Sequence, residues 1–174
     1  ETKSSPAWHS IPEGDTKAVR EQFDLLPKPE IRDALLAEQH HICAYCMKRI
    51  RNSEGNETVH MTIEHRIPLS KDKERALDYN NFLGVCMGGK DVDGPRNRIL
   101  CCDASKDDEE SLTVNPLDQN MMQYIAYKSD GTIYCLEKAG KNAKLINDDL
   151  DNVLLLNGKA GRDTATGLVK GRRD

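Results

Sequence analysis

The pair Cys43-Ala-Tyr-Cys46 limits what this chain of 174 residues can become more than any other feature. A two-residue spacing lets both thiolates reach one tetrahedral ion, which predicts a zinc knuckle. Cys86, Cys101, Cys102 and, further away, Cys135 are available as the remaining ligands. The second half of the site would be a stretched pair closed over the glycine-rich loop Gly88 to Pro95, not another tight Cys-x-x-Cys. Disulfides are disfavoured in a chain without secretory features, and a redox Cys-x-x-Cys should follow the first strand of a βαβ unit, which the pattern lacks. Cys135 alternates in step with Ile133 as in a strand, which predicts a buried free thiol.

A metal staple matters because the core is thin: 37% of residues are hydrophobic and 5% aromatic. A structural zinc contributes on the order of 10 kcal/mol in small domains. The length suits one compact domain. No run approaches the roughly 18 apolar residues of a membrane span, and the start lacks the apolar stretch of a signal peptide, so a soluble, cytoplasmic protein with no membrane partner is expected. The net charge of −4 argues against sequence-blind coating of nucleic acid. Charge is nonetheless uneven: Lys48, Arg49 and Arg51 cluster, then Arg66, Lys71, Lys73 and Arg75, whereas Asp107 to Glu110 is acidic.

From Pro29, apolar residues at Ile31, Ala34 and Leu35 follow helical spacing and deliver the chain to Cys43. The turn-rich Asn52 to Asn56 and the alternating Val59, Met61 and Ile63 predict a hairpin leading into a half-buried strand. Pro68 forbids regular continuation, so the backbone should turn between Glu64 and Ile67. Cys102 to Leu112 has the composition of a short exposed helix, and Asp130-Gly131 predicts a hairpin between 124–127 and 132–136. Leu150 to Leu156 should pack back on the core. The expected organisation is an N-terminal extension (1–28), a zinc-stapled domain (29–157) and a mobile basic tail (158–174), of α+β class.

The strand end Thr62-Ile-Glu-His-Arg-Ile-Pro68 carries the chemistry. Phosphodiester hydrolysis at neutral pH needs a base for water and a cation for the developing charge. His65 suits the base and Glu64 a divalent ion, provided the strand breaks so that these neighbours converge. In Cys102-Asp-Ala-Ser-Lys106, Asp103 and Lys106 fall on one helical face; Asp103 would complete the metal site and Lys106 would neutralise phosphate. Asn81 is placed to tie the intervening loop to backbone groups and keep His65 oriented. Each piece alone has an ordinary explanation as a surface pair, an N-cap or a turn residue; their order is what points to a site.

Together these residues resemble the HNH endonucleases, with a ββα-metal fold. The resemblance implies that Glu64 and Asp103 bind Mg²⁺ or Mn²⁺, His65 is the general base, Asn81 braces the loop, and Cys43, Cys46, Cys86 and Cys102 hold a structural zinc. Cys102 rather than Cys101 is chosen because Asp103 follows it. Asp103 stands where many relatives carry Asn or His and keeps an oxygen ligand. The context Glu30-Ile-Arg to Glu38-Gln39, Asn115-Pro116 and Val153-Leu-Leu-Leu-Asn157 is similar to the branch called PtuB. Members of that branch accompany an ABC-type ATPase, PtuA, in Septu antiphage systems and in some retrons. The resemblance thus implies a nucleic-acid substrate, a PtuA-like partner and, in a retron, a reverse transcriptase with its nucleic acid. A non-catalytic zinc module docking onto such a partner competes with this reading. A zinc transcription factor is a weaker rival, because the segment after Cys102 is acidic where a recognition helix would be basic.

Overall fold

The computed structural model describes residues 16–51, 60–94, 97–106 and 111–174. The turn expected at 52–56, Val59 and the acidic run 107–110 lie outside the described residues. The chain is mixed α+β with two small antiparallel sheets, each of two strands. Helix α1 (Thr16–Asp24) precedes α2 (Lys28–Glu38), where Pro29 in the first turn loses no hydrogen bond because those N–H groups have no helical partner. Leu35 and Leu36 face the core, and α2 ends at Gln39, after which His40 and His41 are left-handed (φ 51° and 60°).

Strand β1 (Met61–His65) pairs with β2 (Phe82–Cys86), Met61 opposite Cys86 and His65 opposite Phe82. The partner of β1 is therefore a strand absent from the sequence reading. Residues 82–85 are all buried, so β2 lacks the polar alternation that reveals a half-exposed strand. Between β1 and β2, residues 66–81 form a loop with 3-10 turns at Lys73–Arg75 and Tyr79–Asn81, capped by the carboxylates of Asp72 and Asp78.

The second sheet follows a single turn, α3 (Gln119–Met122), and comprises β3 (Ile125–Tyr127) and β4 (Ile133–Cys135), joined at the expected Asp130-Gly131 turn. Helix α4 (Asn142–Asp148) runs on as a π-helix over Asp149–Val153, and Leu150, Val153, Leu154 and Leu156 are buried as expected. The main core joins Leu150, Leu154 and Leu156 to Leu83, Val85, Ile133 and Ile146, with the buried Cys43, Cys101, Cys102 and Cys135 among them.

Two-stranded sheets leave strand edges unpaired, and here amide side chains fill them. Asn157 Oδ1 accepts from Ile133 N at 2.9 Å while its Nδ2 donates to Ile133 O at 2.8 Å. Asn147 brackets Cys135 in the same way (2.8 and 3.2 Å), and Gln39 brackets Gly84 (2.7 and 2.8 Å). Each amide acts as a one-residue strand and blunts an edge.

The chain packs on the domain at both ends of the described residues, which corrects the expected mobile tail. From residue 16 the N-terminal extension is packed: Val19, with Phe23 and Leu26, forms a small second core against Ala76 and Leu77 of the 66–81 loop. Residues 158–174 form a docked segment rather than a mobile tail. Helix α5 (Leu168–Arg173) buries Leu168, and Asp163 accepts hydrogen bonds from the backbone N–H groups of Thr164, Val169 and Lys170 at 2.7, 3.0 and 2.9 Å. Gly131 (φ +87°) is required beneath this segment, since a Cβ there would lie 2.2 Å from Val169 O.

Replacing Asn157 by Ala leaves the Ile133 N–H and C=O without partners. We expect Asn157→Ala to lower unfolding free energy by about 1–3 kcal/mol in urea titration, against a change within about 0.5 kcal/mol for exposed Asn80→Ala.

Candidate functional site

Cys43, Cys46, Cys86 and Cys102 bring their sulfur atoms within 4.8 Å of one another. The separations are 3.7 Å for Cys46–Cys86, 3.7 Å for Cys86–Cys102 and 3.9 Å for Cys43–Cys102. A tetrahedral zinc with Zn–S bonds of about 2.3 Å requires edges of about 3.8 Å. All six cysteines are free, and the cluster can hold a metal such as zinc. Cys101 instead turns its sulfur to Thr166 Oγ1 at 3.7 Å, and Cys135 is a buried thiol as expected.

Local backbone builds this cluster. Cys43 N donates to Lys48 O, Met47 N donates to Cys43 O with Met47 left-handed (φ 60°), and Cys86 N donates to the Cys43 sulfur at 3.3 Å. Gly88 (φ +60°) lets the chain after Cys86 close on Cys101: a Cβ would lie 2.1 Å from Cys101 O. Cys102, also left-handed (φ 58°), donates its N–H to Leu154 O at the end of the π-helix, and Ser105 Oγ donates to Val153 O. Hydrogen bonding with Cys102 draws the Cys43 thiol down, whereas hydrogen bonds with Cys101 and Cys43, together with burial, hold Cys102 well above the usual thiol value. Four crowded sulfurs ionise together only when a cation compensates them.

The carboxylate side of the site grows from residues flanking these ligands. Glu64 is 7% exposed. Its Oε1 lies 2.6 Å from Lys106 Nζ and accepts from Tyr45 Oη at 3.3 Å. Burial, then a hydrogen bond and charge repulsion from Asp103, push the Glu64 carboxyl up to about 8, against the pull of Lys106. Asp103 therefore lies close enough for its charge to oppose ionisation of Glu64, while Lys106 favours it. Tyr45, inside the Cys-x-x-Cys and buried, was not singled out from sequence; its place between two ligands is the signal that marks it. Lys106, expected to meet phosphate, is instead Glu64's ion partner, with its side chain 4% exposed. The exposed helix expected from Cys102 is, among the described residues, one 3-10 turn at Cys102–Ala104 with Cys102 buried.

His65 faces the other way. Its ring packs against Phe82 (centroids 5.1 Å apart) and against Phe23 of α1 (4.5 Å), and Nε2 lies 2.8 Å from Ala76 O. A carbonyl can only accept, so Nε2 carries the proton and Nδ1 keeps a basic lone pair. Asn81, 1% exposed, holds the loop that supplies this carbonyl: its Oδ1 accepts from Ile67 N at 2.8 Å, and its Nδ2 donates to Ile67 O at 3.0 Å and Arg75 O at 3.2 Å. This is the bracing expected of it. The convergence of His65, Glu64 and Asp103 on one ion is not found. The strand stays regular through His65 and breaks after it, so neighbouring side chains alternate. Among the described residues the cysteine quartet is the only group of three or more such ligands within 4.8 Å.

No protein-family model matches the chain, and no curated protein is significantly similar to it. No helix among the described residues is long and apolar enough to cross a membrane.

Metal analysis of purified protein separates the adjacent cysteines: Cys102→Ser should lose bound zinc and Cys101→Ser should retain it. Burial lowers the His65 pKa below its ordinary 6.5, with Lys28, Lys106 and Arg20 adding to the effect and the Ala76 bond opposing it. The unfolded chain then binds the proton more readily, and stability falls as pH drops below about 6.5. In NMR titrations the ring's midpoint should lie below 6.5, and Phe23→Ala should raise it by uncovering the ring.

Proposed function

We propose that this protein is a metal-dependent endonuclease of the HNH type, built on a ββα-metal core with a structural zinc. The observation that carries the reading is the His65 imidazole, whose Nε2 is committed to Ala76 O on a loop braced by Asn81, leaving Nδ1 as a base. The neighbouring residue on the same strand, Glu64, shares its pocket with Asp103. In this reading Nδ1 takes a proton from the attacking water, and the Ala76 carbonyl stabilises the imidazolium that forms. Mg²⁺ or Mn²⁺ held by Glu64 and Asp103 would neutralise charge developing at the scissile phosphate, which requires the end of β1 to turn so that its two faces meet at one phosphodiester. Lys106 compensates Glu64 as its ion partner and holds the carboxylate in place. Phe23 lies over His65, so α1 must shift for a phosphodiester to reach Nδ1.

By the PtuB resemblance, the nuclease acts with an ABC-type, PtuA-like ATPase in antiphage defence, and in a retron with a reverse transcriptase and its nucleic acid. The net charge of −4 suits an enzyme whose nucleic acid is partly gripped by another subunit. The second reading is a non-catalytic zinc module on that ATPase; the compensated Glu64–Lys106 pair and the covered His65 favour it. A cleavage assay with the ATPase and Mg²⁺ or Mn²⁺ present decides between them. His65→Ala should cut cleavage by about 10²–10⁴-fold with zinc content unchanged. Equal inertness of wild type and His65→Ala on both DNA and RNA would remove the enzyme reading.

A further inference from the structure

A cavity lies at the opposite end of β1 from His65. It is a groove of about 480 Å³ between residues 48–51, His60, the loop after Cys86, and Ala165–Thr166 of the C-terminal segment. Lys48, Arg49 and Arg51 line it. Lys48 Nζ donates to Thr166 O at 2.9 Å, which fixes the ammonium on the wall. Among the described residues, the guanidinium groups of Arg49 and Arg51 have no ion-pair partner. The one acid among the described lining residues, Asp91, lies 3.4 Å from His60 Nδ1. The groove is thus positive in a chain that is negative overall. The knuckle holds the backbone of Lys48 and Arg49: Cys43 N donates to Lys48 O, and Ile42 forms a β-bridge with Arg49.

Guanidiniums without a carboxylate partner among the described residues suit phosphate, whose oxygens match their fork bidentately. From His60 to His65 the chain advances five residues, about 16 Å at about 3.3 Å per residue. A stacked strand carries one phosphate per about 3.4 Å, so the groove stands four to five phosphates from His65. We propose that the Lys48, Arg49 and Arg51 groove is a subsite for the phosphodiester backbone of the nucleic acid, remote from the bond that is cut. The choice of nucleic acid among polyanions rests on the nuclease reading.

The test measures binding of fluorescein-labelled single-stranded DNA and RNA by anisotropy across a salt series, in the His65→Ala background so that cleavage plays no part. Adding Arg49→Glu and Arg51→Glu should weaken binding at least about tenfold and lower the salt slope by about 1.4. Lys141→Glu with Lys144→Glu, the same charge change on exposed residues of the α4 region, should weaken it far less, and unchanged zinc content and melting temperature would show that both variants fold. Equal losses in the two double variants, or no loss from the groove pair, would overturn the subsite. Retained oligonucleotide affinity with loss of ATPase binding would overturn it too, making the groove a dock for an acidic protein surface. Binding here is independent of cleavage: an inert wild type with groove-dependent binding refutes the nuclease reading alone, and an active wild type with groove-independent binding refutes the subsite alone.

Discussion

The four sulfur atoms within 4.8 Å of one another connect three stretches of chain. Cys43 and Cys46 come from the turn after α2, Cys86 ends β2, and Cys102 opens a 3-10 turn with a left-handed backbone. What lies beside each ligand then follows. Tyr45, between the first two, reaches Glu64; Asp103, one residue after the last, enters the same pocket; Lys106, one turn further, pairs with Glu64. The sequence neighbours of the sulfur ligands thus supply the groups around the buried Glu64 carboxylate.

The histidine depends on a different device. His65 leaves the strand on the face opposite Glu64, and its orientation comes from the 66–81 loop, with Asn81 bonded to both Ile67 and Arg75 and with Ala76 offering its carbonyl. Side-chain amides recur wherever backbone would otherwise be left open: Gln39 at Gly84, Asn147 at Cys135 and Asn157 at Ile133. With only two strands per sheet, these residues replace missing neighbours and keep the hairpins narrow.

Features written in short windows were legible. The knuckle, the helix from Pro29, the Asp130-Gly131 hairpin and the stop before Pro68 all depend on neighbours in sequence, and so does the place of Asn81 near the end of the loop. What required tertiary contacts was not. β2 carries no alternation because both its faces are covered, α1 shows its purpose only against Ala76 and Leu77, and the C-terminal segment docks through Asp163 and over Gly131. The Lys106–Glu64 pair joins residues far apart in sequence, and nothing local distinguishes it from a lysine facing phosphate. Glu64 and His65 do not converge for a local reason: the strand remains regular through His65, so their side chains leave on opposite faces.

Hydrogen exchange before and after chelation is the most direct test of the dependence on the cysteine cluster. If the ion joins these segments, stripping it should release protection together at Cys43 to Ile50 and Cys101 to Lys106, including the Cys102 amide bonded to Leu154 O, while the β3–β4 hairpin exchanges as before. Unchanged protection across both segments in metal-free protein would contradict the account, because the acidic pocket would then be assembled without the sulfurs acting as a clamp.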